Sequence, residues 1–166
     1  MRLITFILAL FLVGPAAAED WKEYAYPDYS FTVHFPVEPK IEITTYQVPN
    51  DRSLEARVYS ATQDTGVFKV TIVELPDDGT AENELVGHAV NAAAEGGSVK
   101  FDIAHRIRAV YGRQLGVAGA NGSYSYVAVF SHKKRLYQLE GKAFVGGGQA
   151  EVDAMIFQQS LDLTPD

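Results

Sequence analysis

Strict alternation of apolar and polar residues runs through most of the chain, and it is clearest in "SFTVHF". There Phe31, Val33 and Phe35 fall on one side and Ser30, Thr32 and His34 on the other. A period of two marks a strand with one buried face. Pro27-Asp28 supplies a turn before this run, and Pro36 ends it because proline has no N–H to give a ladder. The stretch "EYAYPDYSFTVHFP" therefore predicts an opening hairpin whose aromatic side chains are core and cross-strand partners rather than a binding platform. The same period returns in "KIEITTYQV", "SLEARVYSA" and "VFKVTIVEL", separated by Pro49-Asn50-Asp51 and by Gln63-Asp64-Thr65-Gly66. Strands punctuated in this way predict an antiparallel meander.

Over residues 81–95 the spacing changes to that of a helix, with Leu85, Val86, Ala89, Val90 and Ala93 on one face. Thr80 is the expected cap, Glu82 and Glu84 in the first turn favour the helix dipole, and Gly96-Gly97 is the stop. Alternation resumes in "VKFDIAHRI", "VYGRQLGV", "SYSYVAVFSH" and "RLYQLEGKAF", with Asn121-Gly122 and Lys133-Lys134 as hairpin turns. A last helix over residues 149–160 presents Val152, Met155, Ile156 and Gln159 on one face. The predicted class is α+β: a mainly antiparallel β-sheet with two packed α-helices.

Two of these segments carry a family likeness. "YSFTVHFP" near the start and "FQQSLDL" at the close of the last helix resemble the opening hairpin and terminal helix of the PsbP-like (Mog/PsbP) fold family. That family includes the extrinsic photosystem subunit, the Ran-binding Mog protein and many exported bacterial proteins. The resemblance spans most of the chain in the order of its elements. It implies a PsbP-like sandwich and a binding or assembly module rather than an enzyme, and it transfers no active-site residue to any position.

Composition then bounds where such a domain works. Residues 1–18 read as a signal peptide: Arg2 is a short positive region, Leu3 to Val13 an apolar run, and Ala16-Ala17-Ala18 a cleavage site. The apolar run falls short of the roughly 20 residues that span a bilayer, so export into the periplasm or medium is expected rather than anchoring. Residues 19–166 then form a single α+β domain with no membrane span, and no Cys is present for a lipid anchor or a disulfide. Loss of Arg2 takes the formal charge from −7 to −8, a sign that phosphate repels, which argues against nucleic acid as a partner.

The chemical motifs are mostly exclusions. Gly116, Gly119 and Gly122 in "GVAGANG" have the wrong spacing for a phosphate loop, and strands flank them. No G-x-S-x-G elbow occurs, "EGKAF" lacks the rest of a P-loop, and "PDDGT" lacks the carboxylate spacing of a calcium loop. "ANGS" matches a glycosylation acceptor at Asn121, but an exported bacterial chain, as the resemblance implies, needs that pair for its turn. His34, His88, His105 and His132 are dispersed, so neither a metal nor another cofactor is expected, although a zinc site could still form in space. His105 shares a predicted strand face with Val99, Phe101, Ile103 and Ile107, which makes it a half-buried, hydrogen-bonded histidine.

The expected function is a non-catalytic exported binding module. The alternative is a small-molecule hydrolase with a site assembled from His105, Asp102 and Ser131. For partner contact the candidates are Arg106, Arg108, Tyr111 and Arg113 in "AHRIRAVYGRQL", a local reversal of charge containing the residue types that dominate interface energies. Arg106 and Arg108 alternate with Ile107 and should project from one face about 6.6 Å apart, with Arg113 close behind. Such a surface fits a protein or a small ligand bearing an anionic group. The same arginines also suit ion pairs with carboxylates on neighbouring strands, which add little to stability.

Overall fold

The computed structural model describes residues 21–76 and 81–164, so the expected signal peptide, the Glu19 start and Thr80 lie outside the described residues. Alternation becomes strand where the sequence predicts it. In chain order the elements are β1 (Lys22–Tyr26), a single 3-10 turn at Pro27–Tyr29, β2 (Phe31–Phe35), β3 (Lys40–Val48), β4 (Arg52–Gln63) and β5 (Gly66–Glu74). Then follow α1 (Glu82–Ala94), β6 (Gly97–Ile107), β7 (Val110–Gly119), β8 (Tyr124–His132), β9 (Arg135–Ala143), α2 (Gly148–Gln159) and β10 (Asp162–Leu163). Two tight turns use non-glycine residues in the left-handed region, Asn50 and Asp51 (φ 65° and 53°) and Lys133 and Lys134 (φ 50° and 56°). Paired positive φ values match the twist of the strands that such turns join.

Seven strands form one sheet in the order β3-β4-β5-β9-β8-β7-β6, and every neighbouring pair is antiparallel. Two meanders, β3-β4-β5 and β6-β7-β8-β9, are thus joined where β5 pairs with β9, and α1 lies in the connection between them. A second sheet, β1-β2-β10, and helix α2 cover the first face of the large sheet. Phe31, Phe35, Phe68, Phe130, Tyr137 and Phe157 are buried there, with Trp21 edge-on to Phe68 at 5.1 Å between ring centroids. The aromatic opening hairpin is therefore core, as its pattern predicts. Helix α1 covers the second face through Leu85, Ala89 and Val90, against Val73, Leu115, Val129 and Leu136.

Two expectations about the helices are corrected. Ala81, not Thr80, occupies the cap position of α1 and makes no side-chain cap bond, although Glu82 and Glu84 do stand in the first turn. On α2 the buried residues are Ala154, Phe157 and Gln158, whereas Val152 and Ile156 are 41% and 45% exposed. The reason is a close approach of backbones. A Cβ on Gly141 of β9 would collide with the Ala154 carbonyl, so the helix seats its small residue there and turns the larger ones outward. Gln158 is buried with its Oε1 accepting a hydrogen bond from Gln114 Nε2, which offsets part of the cost of desolvating it; its own Nε2 has no partner among the described residues.

Candidate functional site

The predicted arginine cluster at the β6-β7 hairpin forms only in part. Arg108 is not in a strand: it occupies the turn with φ 53°, so it does not share the alternation of Arg106. It forks onto Asp162, Nε to Oδ1 at 2.8 Å and Nη2 to Oδ2 at 2.6 Å. That hydrogen bonding holds the Asp162 carboxyl below its ordinary range and raises Arg108 above its own. Arg113 forks in the same way onto Asp102. Arg106 instead lies over the ring of Tyr111, 5.9 Å from its centroid, and Tyr111 is 71% exposed. Two of the three arginines are spent on carboxylates, and one cation–π pair is left open to solvent.

The three residues of the hydrolase alternative do not come together. His105 pairs across the ladder with Gly112 and packs on Phe130 at 5.6 Å, on the first sheet face, where burial lowers its pKa. Asp102 is three residues away with no bulge between, so it projects from the second face, and Arg113 holds both of its oxygens. Ser131 also belongs to the second face, where it lines a recess of about 290 Å³ with Tyr111 and Arg113. Its buried Oγ has no hydrogen-bond partner among the described residues. The sheet therefore separates the imidazole from the carboxylate and the hydroxyl. Among the described residues no group of three or more His, Asp or Glu side chains could hold a metal ion.

A different site emerges from the second face followed along its strands. Beneath α1 the inward positions are apolar: Val73 on β5, Leu136 on β9, Val129 and Val127 on β8. Past the C-terminal end of α1 the same alternate positions become Lys69 on β5, Gln138, Glu140 and Lys142 on β9, and Ser125 on β8. Residues two apart on a strand share a face, so these five meet on one floor. The floor, the end of α1 and the 119–123 turn enclose an open cleft of about 640 Å³.

Hydrogen bonds order this floor. Lys69 Nζ lies 2.7 Å from Glu140 Oε2, and Ser125 Oγ donates to the other carboxylate oxygen at 3.4 Å. The Tyr46 hydroxyl donates to Gln138 Oε1 at 2.7 Å, and burial pushes its pKa up to about 12, so it keeps its proton. On the rim, Asn121 Oδ1 accepts from the Ser123 N–H at 3.2 Å and from the Ser123 hydroxyl at 2.7 Å. The turn expected at Asn121-Gly122 is thus also a wall of the cleft. His88 on α1 closes another side through a 3.1 Å contact between Nε2 and the Gln47 carbonyl. Such an arrangement can hold a polar molecule by hydrogen bonds.

Sequence reasoning did not find Lys69, Gln138, Glu140 or Lys142. The available signal was that a strand covered on both faces should read as nearly continuous apolar sequence. In "VFKVTIVEL" and "RLYQLEGKAF" the second-face positions turn polar at Lys69 and Thr71 and at Gln138, Glu140 and Lys142. They became a site only when β5 paired with β9, a contact between distant segments.

No family model matches the chain, and no curated protein matches it. Among solved structures it is similar to the solution structure of cyanobacterial PsbP (CyanoP) from Synechocystis sp. PCC 6803. The TM-score is 0.56 at 14% identity, over 93% of this chain and 98% of that one. The fold is PsbP-like, as the two terminal segments imply.

Proposed function

We propose, from a PsbP-like fold and the cleft on its large sheet, that the protein is a non-catalytic binding module acting outside the cytoplasm, periplasmic or secreted. Its ligand is a small polar molecule held between the sheet floor and the end of α1. The observation that carries this reading is the change from apolar to polar side chains along one sheet face, next to an open volume of about 640 Å³. The cleft volume falls in the range of small-molecule sites, in which converging polar groups fix the ligand's orientation. Export is supported by the charged start, apolar run and small-residue site of residues 1–18.

A thermal-shift screen of the exported form against polar small molecules tests the reading. A ligand should raise the melting temperature by several degrees, since binding to the native state stabilises it by mass action. Ala92→Trp, an exposed helix position on the cleft wall, should leave the unliganded melting temperature unchanged and abolish the ligand-induced rise. Retained stabilisation in this variant would remove the cleft as the site.

A second reading is favoured by one observation, the exposure of Tyr111 beneath Arg106 at the mouth of the smaller recess. Aromatic and arginine side chains at such a spot suit contact with another protein. Of the four residues predicted for partner contact, Arg106 and Tyr111 then carry it, while Arg108 and Arg113 hold the hairpin. Capture of a partner from the native envelope should be lost in Arg106→Ala/Tyr111→Ala and kept in Arg108→Ala. The reverse pattern would contradict this division.

A further inference from the structure

We infer that the cleft recognises its ligand by an oxyanion, a carboxylate or phosphate group held on the sheet floor beside Lys142. The inference rests on the binding reading above and names the ligand class of that site. Its ground is an account of hydrogen-bonding capacity. The amide and carboxylate oxygens around Lys142 each already have a partner. Gln138 Oε1 takes the Tyr46 hydroxyl, and Glu140 takes Lys69 on one oxygen and Ser125 on the other. Asn121 Oδ1 takes two donors from Ser123, one of them a backbone N–H. A backbone N–H can only donate, so this bond fixes which end of the Asn121 amide is oxygen.

The donors are unspent. Gln138 and Asn121 each keep an NH₂ group, and Lys142 makes no hydrogen bond or ion pair among the described residues. A wall with free donors, in which each amide and carboxylate oxygen already has at least one partner, favours a ligand rich in acceptors. A charged donor selects a charged acceptor, because ionic hydrogen bonds are about twice as strong as neutral ones. Lys69 and Lys142 against Glu140 leave the floor net positive. The opposite wall has the other sign: Glu95 stands there, beside the negative end of the α1 dipole. The anionic group is thereby placed on the sheet side, and the rest of the ligand faces α1.

The experiment is a titration of the isotope-labelled exported form, at constant ionic strength, with succinate, inorganic phosphate, neutral succinamide and the diamine putrescine. Succinate or phosphate should shift the amide resonances of Ser125, Gln138 and Lys142 saturably, and whichever binds tighter distinguishes a carboxylate site from a phosphate site. Succinamide and putrescine should leave those resonances in place. Lys142→Met should weaken anion binding about tenfold or more, the expected loss of a charge-assisted hydrogen bond, and Lys142→Arg should retain it. Neither change should alter the denaturation midpoint, because Lys142 has no partner among the described residues. Saturable binding of succinamide or putrescine in the cleft, with the anions silent, would overturn the oxyanion and leave the binding reading standing. Binding by no probe, or undiminished binding by Lys142→Met, would also overturn it, and the former would remove support from the binding reading too.

Discussion

The two faces of the seven-stranded sheet are built from the same alternating strands, yet they end differently. On the first face, β2, β10 and α2 cover an aromatic core in which Phe35, Phe68 and Phe157 pack ring against ring at 5.1 to 5.4 Å. On the second face α1 covers apolar residues at one end only, and the rest is a hydrogen-bonded polar floor. Lys69 pairs directly across from Glu140, and Thr71 across from Gln138, in the same ladder whose first-face positions are Val70 and Leu139. A single pair of strands thus serves cohesion on one side and carries the polar cleft proposed for recognition on the other. The side on which the sequence departs from what burial demands is the side with free chemistry.

That contrast can be broken by substitution. The largest effect should come from Phe157→Ala, which empties the centre of the first-face cluster. Truncating a buried phenylalanine costs about 3 to 5 kcal/mol, and urea denaturation should read a loss in that range. A loss below about 1 kcal/mol would mean that α2 does not anchor the first face. A smaller effect is expected at the polar contact beneath α2. Gln114→Leu leaves Gln158 buried without its partner and should cost about 1 to 3 kcal/mol, whereas Gln114→Leu/Gln158→Leu should recover much of that loss. If the double variant were as unstable as the single one, the pair would matter for shape rather than for hydrogen bonding.

What was legible in the sequence divides along the same line. Alternation in "KIEITTYQV" and turn residues such as Asn50-Asp51 are local signals, and they located β3 and its turn without further information. The buried stripe of α1 was legible for the same reason, since Leu85, Ala89 and Val90 carry their own periodicity. The inward face of α2 was not, because it depends on Gly141 in another element allowing Ala154 to approach. Nor was the hairpin turn at Arg108, where a left-handed arginine stands in place of the usual glycine or asparagine. The cleft was the least legible feature. Its floor comes from β5, β8 and β9, and no local pattern records that β5 finds β9 across the length of α1 and three intervening strands.

If the polar end of the second face holds a ligand, as proposed, the mass of the protein isolated from its native cells should reveal it. Under denaturing conditions the chain should have the mass of residues 19–166. Under non-denaturing conditions it should carry an additional small-molecule mass, and Ala92→Trp, with its cleft wall filled, should lack that excess. Equal masses under both conditions for the unaltered protein, or the same excess in Ala92→Trp, would contradict the account.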